Sequence, residues 1–126
     1  MKDSLVKLIS VGLIIGGLDY IYLGLVMKMF KKSILNIQGK KLSVRLLPTI
    51  LAYILLIGTF YYFVIVKKFN LLDSFLLWIA IYGIYDLTNY ATINKWSLRF
   101  AVTDTLWGGT LFLLTLAILK LLKLVK

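Results

Sequence analysis

Four apolar stretches of about 20 residues each, at 5–27, 45–66, 71–92 and 98–119, decide what this chain can fold into. A helix needs roughly 20 mostly apolar residues to cross a hydrocarbon core of ~30 Å, and every stretch meets that length. Backbone polar groups in lipid must be satisfied inside the segment itself, so spans of this kind are helical. The sequence therefore predicts an all-α polytopic membrane protein, a four-transmembrane-helix bundle with residues 1–126 as one integral membrane domain. Connectors read as short and basic: Lys28-Met-Phe-Lys-Lys32 running on to Lys40-Lys41, then Lys67-Lys68, then Asn94-Lys95-Trp96. Four spans put both ends of the chain on one membrane face, face A, and the first and third connectors on face B. The first stretch is too long for a signal-peptide core and carries Asp19. No small-x-small cleavage site follows it, so it reads as a span.

Composition narrows the chemistry. Hydrophobic residues make up 61% of the 126 and charged residues 16%, against about 45–50% and ~25% in soluble domains. There is no Cys and no His, which excludes a zinc or haem ligand set, a Ser-His or Cys-His nucleophile and any disulfide. Glycine-rich phosphate loops, metal-ligand clusters and Thr-Val-Gly-Tyr-Gly filters are missing as well. No catalytic residue, cofactor or metal is expected. The net charge of +10 sits at helix ends, where lysines snorkel towards anionic headgroups. The partner this implies is the lipid bilayer and not nucleic acid, whose binders concentrate charge on a folded surface.

Charge does not orient the chain. Lys2, Lys7, Lys67, Lys68, Lys120, Lys123 and Lys126 fall on face A; Lys28, Lys31, Lys32, Lys40, Lys41, Lys95, Arg45 and Arg99 fall on face B. Seven against eight is no asymmetry for the positive-inside rule to act on. The dense first connector leans face B towards the cytoplasm, and dual topology stays open. The location is an integral one, in a cell membrane or in a virion or host membrane if the source is viral.

Three aspartates lie inside the spans, and an intramembrane acid is by default a functional-site hypothesis because it costs roughly 2.5–3.5 kcal/mol at the bilayer centre. At a rise of ~1.5 Å per residue, Asp19 lies roughly 12 Å from face B, and Asp86 and Asp104 roughly 9 Å each. Thr49 and Tyr53 of the second span fall at about 6 and 12 Å by the same rise. All four helices therefore bring acids or hydroxyls to one layer. Tyr82, Asp86 and Asn89 share a helix face, as do Asp104, Trp107, Gly108 and Leu111, while Gly12, Gly16, Asp19 and Leu23 form a stripe on the first span. Gly12-x-x-x-Gly16 is a small-residue packing pattern that suits either a dimer or contacts within one chain.

Each acid also has a purely structural reading. Asp19 has no cation within a turn and must be protonated or bonded to another helix. Asp86, followed by Thr88 and Asn89, suits a polar clamp between helices as well as a ligand site. Asp104, five residues after Arg99, reads first as an interfacial salt bridge to Lys95 or Arg99, or as a charge at a helix N-terminus. Asp73 reads as a helix start on face A. Phe30, Trp96 and Phe100 near face B, with Tyr61, Tyr62, Phe63 and Phe69 near face A, read as interfacial aromatic belts.

The segment Tyr85-Asp86-Leu87-Thr88-Asn89-Tyr90-Ala91-Thr92, followed by Trp96 and Asp104-Thr105-Leu106-Trp107-Gly108, resembles the signature of a small four-span membrane family of unknown function with bacterial and large-DNA-virus members. Leu18-Asp19-Tyr20-Ile21-Tyr22-Leu23-Gly24 resembles its first-span motif, with Tyr22 where that family has Trp. The resemblance implies no biochemistry. It does imply that Asp19, Asp86, Asn89, Asp104 and Trp107 are signature positions.

The expected site is an ion or ligand pathway built from Asp19, Asp86, Asn89, Asp104, Thr88, Trp107 and Tyr82. In that expectation Asp19 and Asp86 titrate, Thr88 and Asn89 orient them, and Asp104 with Trp107 closes the layer. The function it suggests is a proton or small-cation channel or transporter. Alternatives are a lipid-binding or accessory subunit for membrane-lipid metabolism and a structural, possible virion, membrane component. Four short helices enclose little volume, so a homo-oligomer is also expected.

Overall fold

The computed structural model describes residues 2–126. Helix α1 spans Lys2–Gln38, α2 Leu46–Val66, α3 Leu71–Thr92 and α4 Leu98–Leu121. All four are long and apolar enough to cross a membrane, and among the described residues no strand occurs. The three later helices begin and end within two residues of the expected spans.

Helix α1 departs from expectation. Its 37 residues extend roughly 55 Å at the helical rise, far beyond the hydrocarbon core. The first connector is therefore mostly helix, and only residues 39–45 link it to α2. The physical reason lies in the stripe Phe30, Ile34 and Ile37, which recurs at helical spacing among the lysines and packs with Met29 against Trp96, Phe100 and Ala101. Trp96 and Phe100 are thus buried under the end of α1 instead of facing lipid as belt residues. Lys95 Nζ ties the same region together by donating to the Asn36 carbonyl at 3.2 Å.

Helix α2 changes register in its face-A third. Leu46–Thr59 is α-helical and Phe60–Val66 is a π-helix. Pro48 lies in its first turn, where the missing N–H costs nothing. Helix α3 starts with a reciprocal cap: Asn70 accepts from the Asp73 N–H at 2.8 Å, and its side-chain amide donates to Asp73 Oδ2 at 3.0 Å. Asn70 and not Asp73 is the N-cap, and Asp73 lies in the first turn of α3. Ser97 caps α4 by accepting from the Phe100 N–H at 3.1 Å.

Packing runs α2–α1–α4–α3, with α3 on α4 the most extensive contact and α1 on α4 the next. Glycines make the α3–α4 approach possible. A Cβ placed at Gly108 would stand 2.4 Å from Tyr82 Cγ, and one at Gly109 would stand 2.5 Å from Phe75 Cε2. In the face-A half, Phe60 closes the arrangement by meeting Trp78 and Phe112 at centroid distances of 6.0 and 5.9 Å. Val11, Ile15, Leu111 and Leu119 complete this core. Gly12 packs within the chain, 3.6 Å from Ile57 of α2 by its would-be Cβ, while Gly16 faces open space. Outward residues such as Leu13, Leu25 and Leu55, each more than 70% exposed, face lipid.

Two helix ends on face A are unusual. Lys68 and Lys123 have φ of 53° and 59°, the left-handed region in which glycine normally ends a helix. The Phe69 N–H returns to the Phe63 carbonyl at 3.0 Å and the Leu124 N–H to the Leu119 carbonyl at 2.9 Å, as such endings require. A side chain in that conformation costs roughly 1–2 kcal/mol.

Candidate functional site

The three intramembrane aspartates converge between α1, α3 and α4, in the face-B half. Asp86 is fully buried, and Asp19 and Asp104 are each 9% exposed. Antiparallel helices explain the convergence. Helix α1 runs from face A to face B and α4 returns, so Asp19-x-x-Tyr22 on one lies beside Asp104-x-x-Trp107 on the other, in opposite order. Residues three apart share a helix face, so both members of each pair point at the partner helix.

The two pairs are joined crosswise. The Tyr22 hydroxyl donates to Asp104 Oδ1 at 3.0 Å, and Trp107 Nε1 donates to Asp19 Oδ1 at 3.0 Å. The Tyr22 and Trp107 rings stack between these bonds with centroids 4.6 Å apart and planes 2° from parallel. Helix α2 adds the Tyr53 hydroxyl, which donates to Asp19 Oδ2. Both Asp19 oxygens are therefore bonded to protein donors from two other helices.

Asp86 is served differently. Its Oδ2 accepts from the Thr105 hydroxyl at 3.5 Å, a long contact, and its Oδ1 has no hydrogen-bond donor. The Asp86 and Asp104 carboxyl groups are neighbours across α3 and α4. Donors to the three carboxyl groups are two tyrosine hydroxyls, one threonine hydroxyl and one indole, all neutral. Tyr82, packed on Gly108, stands near Asp19 and Asp104 without bonding either.

Of the residues expected from sequence, Asp19, Asp86, Asp104, Trp107 and Tyr82 are brought together. Thr88 and Asn89 are not. Thr88 is exposed, and its carbonyl accepts from the Thr92 hydroxyl at 2.8 Å; Asn89 is half-buried, and its carbonyl accepts the Ile93 N–H. They lie closer to face B than Asp86, and neither bonds an aspartate. Asp104 takes part in no interfacial salt bridge: with Ser97 capping α4, it lies beyond the first turn and bonds Tyr22. The sequence reading left Tyr22, Tyr53 and Thr105 out of the site. The matching depths of Asp19 and Tyr53, both roughly 12 Å, were the available signal for one of them.

A family model described as "Predicted membrane protein (DUF2177)" matches residues 4–120. The chain belongs to this family. The match encloses every residue of the aspartate layer, and it agrees with the resemblance to a small membrane family of unknown function. As a DUF2177 member with four candidate spans, the chain is an integral membrane protein. No curated protein and no solved structure matches it.

Proposed function

We propose that this DUF2177 protein binds and moves a proton or a small cation, with the Asp86–Asp104 carboxyl pair as its binding site. The observation that carries this reading is Asp86: a fully buried carboxyl group with one oxygen unserved, near the Asp104 carboxyl group, with only neutral donors around both. Like charges so placed at membrane depth repel, so the pair needs a positive species near its oxygens. A proton or a small cation meets that need. Asp19, with both oxygens bonded, acts as the clamp that orients α1, α2 and α4 around the pair.

The reading favours a carrier over an open pore. Phe60, Trp78 and Phe112 fill the face-A half directly below the layer, and the Phe30, Trp96 and Phe100 cluster covers its face-B side. A second reading has one observation in its favour: each of the three intramembrane aspartates has at least one protein donor, as a purely structural polar clamp would require.

Flux of protons and of Na⁺ or K⁺ into liposomes holding the purified protein distinguishes the two. In the carrier reading Asp86→Asn and Asp104→Asn reduce flux to the level of empty liposomes while the protein stays folded. Wild-type protein that is folded and moves none of these ions would leave the structural reading standing.

A further inference from the structure

We propose that a cavity on face A binds the phosphate group of an anionic phospholipid. This site is separate from the aspartate layer and does not depend on the carrier reading. The cavity has a volume of about 830 Å³, within the usual range of ligand sites, and lies between the start of α1, the π-helical end of α2 and the end of α4. Lys7, Lys68, Lys120, Lys123 and Lys126 line it, with Asp3 as the one acidic side chain. Its floor is apolar, with Val64 and Ile65 from the π-helix and Leu116 from α4.

Two features separate this cavity from an ordinary lysine-rich membrane edge. Lys68 and Lys123 both hold left-handed backbone where glycine would fold more easily, and the side chains kept there line one cavity. The chain after α4 also turns back, so that Leu124 and Val125 pack on the core and hold Lys123 and Lys126 at the rim. An ammonium rim over an apolar floor fits an amphiphile, with phosphate oxygens at the lysines and acyl chain along the floor. Basic pockets between transmembrane helices bind acidic headgroups by this chemistry.

The test uses full-length protein in neutral detergent, with lipid binding followed by native mass spectrometry. Phosphatidylglycerol should bind at least tenfold more tightly than phosphatidylcholine. Lys68→Gly and Lys123→Gly remove the amines yet suit the left-handed backbone, so folding is preserved. Each should weaken phosphatidylglycerol binding about fivefold, the effect of one lysine at an anionic surface. The face-B variant Lys40→Gly/Lys41→Gly, with a larger loss of charge, should leave it unchanged. Equal binding of the two lipids, or an equal loss in the face-B variant, would overturn the proposal. Inorganic phosphate is the second arm. It lacks the acyl chain and should not displace the lipid at matched concentration; displacement would show free phosphate to be the ligand and overturn the lipid assignment.

Discussion

Tyr22 and Trp107 stack 4.6 Å apart and 2° from parallel, and each donates a hydrogen bond to the aspartate that precedes the other by three residues. The stack therefore locks α1 to α4 at one register. Trp107→Phe keeps a ring to stack and removes the donor to Asp19. Tyr22→Phe likewise removes the donor to Asp104. Each should destabilise the folded protein by about 1–3 kcal/mol, the cost of an unserved buried acceptor. Asp19 keeps Tyr53 as a partner, so Trp107→Phe should be the milder change. Thermal unfolding in detergent ranks the two, and equal stability in all three proteins would contradict the crosswise arrangement.

Close approach of α3 and α4 rests on Gly108 and Gly109. Gly108→Ala puts a methyl group into the Tyr82 ring and should cost about 1–3 kcal/mol by overpacking. Gly16→Ala meets nothing within 4 Å and should be neutral or slightly stabilising. The same unfolding measurement checks both, and a harmless Gly108→Ala would show that the helices are further apart.

Beyond the membrane, the end of α1 is held by the Trp96 cluster. Trp96→Ala should remove up to about 3–5 kcal/mol of packing, paid locally because the cluster is peripheral. Amide hydrogen exchange should accelerate across residues 31–38 and stay slow around Asp19. Unchanged exchange in that segment would mean the extension stands without the cluster.

The reciprocal cap at α3 offers a smaller effect. Asn70→Ala removes the acceptor for the Asp73 N–H and should cost about 1 kcal/mol. Asn70→Ser restores an acceptor without setting a second carboxylate against Asp73 and should recover most of it, as read by thermal unfolding.

The spans and the aspartate layer were legible because both follow from arithmetic. Apolar length gives the spans, and the helical rise puts Asp19, Asp86, Asp104 and Tyr53 at similar depth. What depth cannot give is azimuth between helices. Asn89 shares the general face of Asp86 but lies most of a turn nearer face B, and Thr88, two residues on, points to the opposite side and is exposed, whereas Thr105 comes from the neighbouring helix and reaches Asp86. Tyr22 stood out in the sequence only as a departure from a motif; its role emerges once α1 and α4 are antiparallel and Asp-x-x-Tyr meets Asp-x-x-Trp. The extension of α1 was masked by its lysines, although Phe30, Ile34 and Ile37 carry the helical spacing. The π-helix at Phe60–Val66 has no sequence signature, being a matter of backbone register.

The central claim is that the Asp86–Asp104 pair takes up a proton or small cation, and Trp107 reports on it through Tyr22, which stacks on Trp107 and donates to Asp104. The chain holds three tryptophans, so fluorotryptophan-labelled protein in detergent gives three fluorine NMR signals, which Trp107→Phe assigns. Titrating protons, Na⁺ or K⁺ should shift the Trp107 signal saturably while the Trp78 and Trp96 signals stay in place, and Asp86→Asn should abolish the shift. A Trp107 signal indifferent to all three ions, or one that responds identically in Asp86→Asn, would contradict the claim.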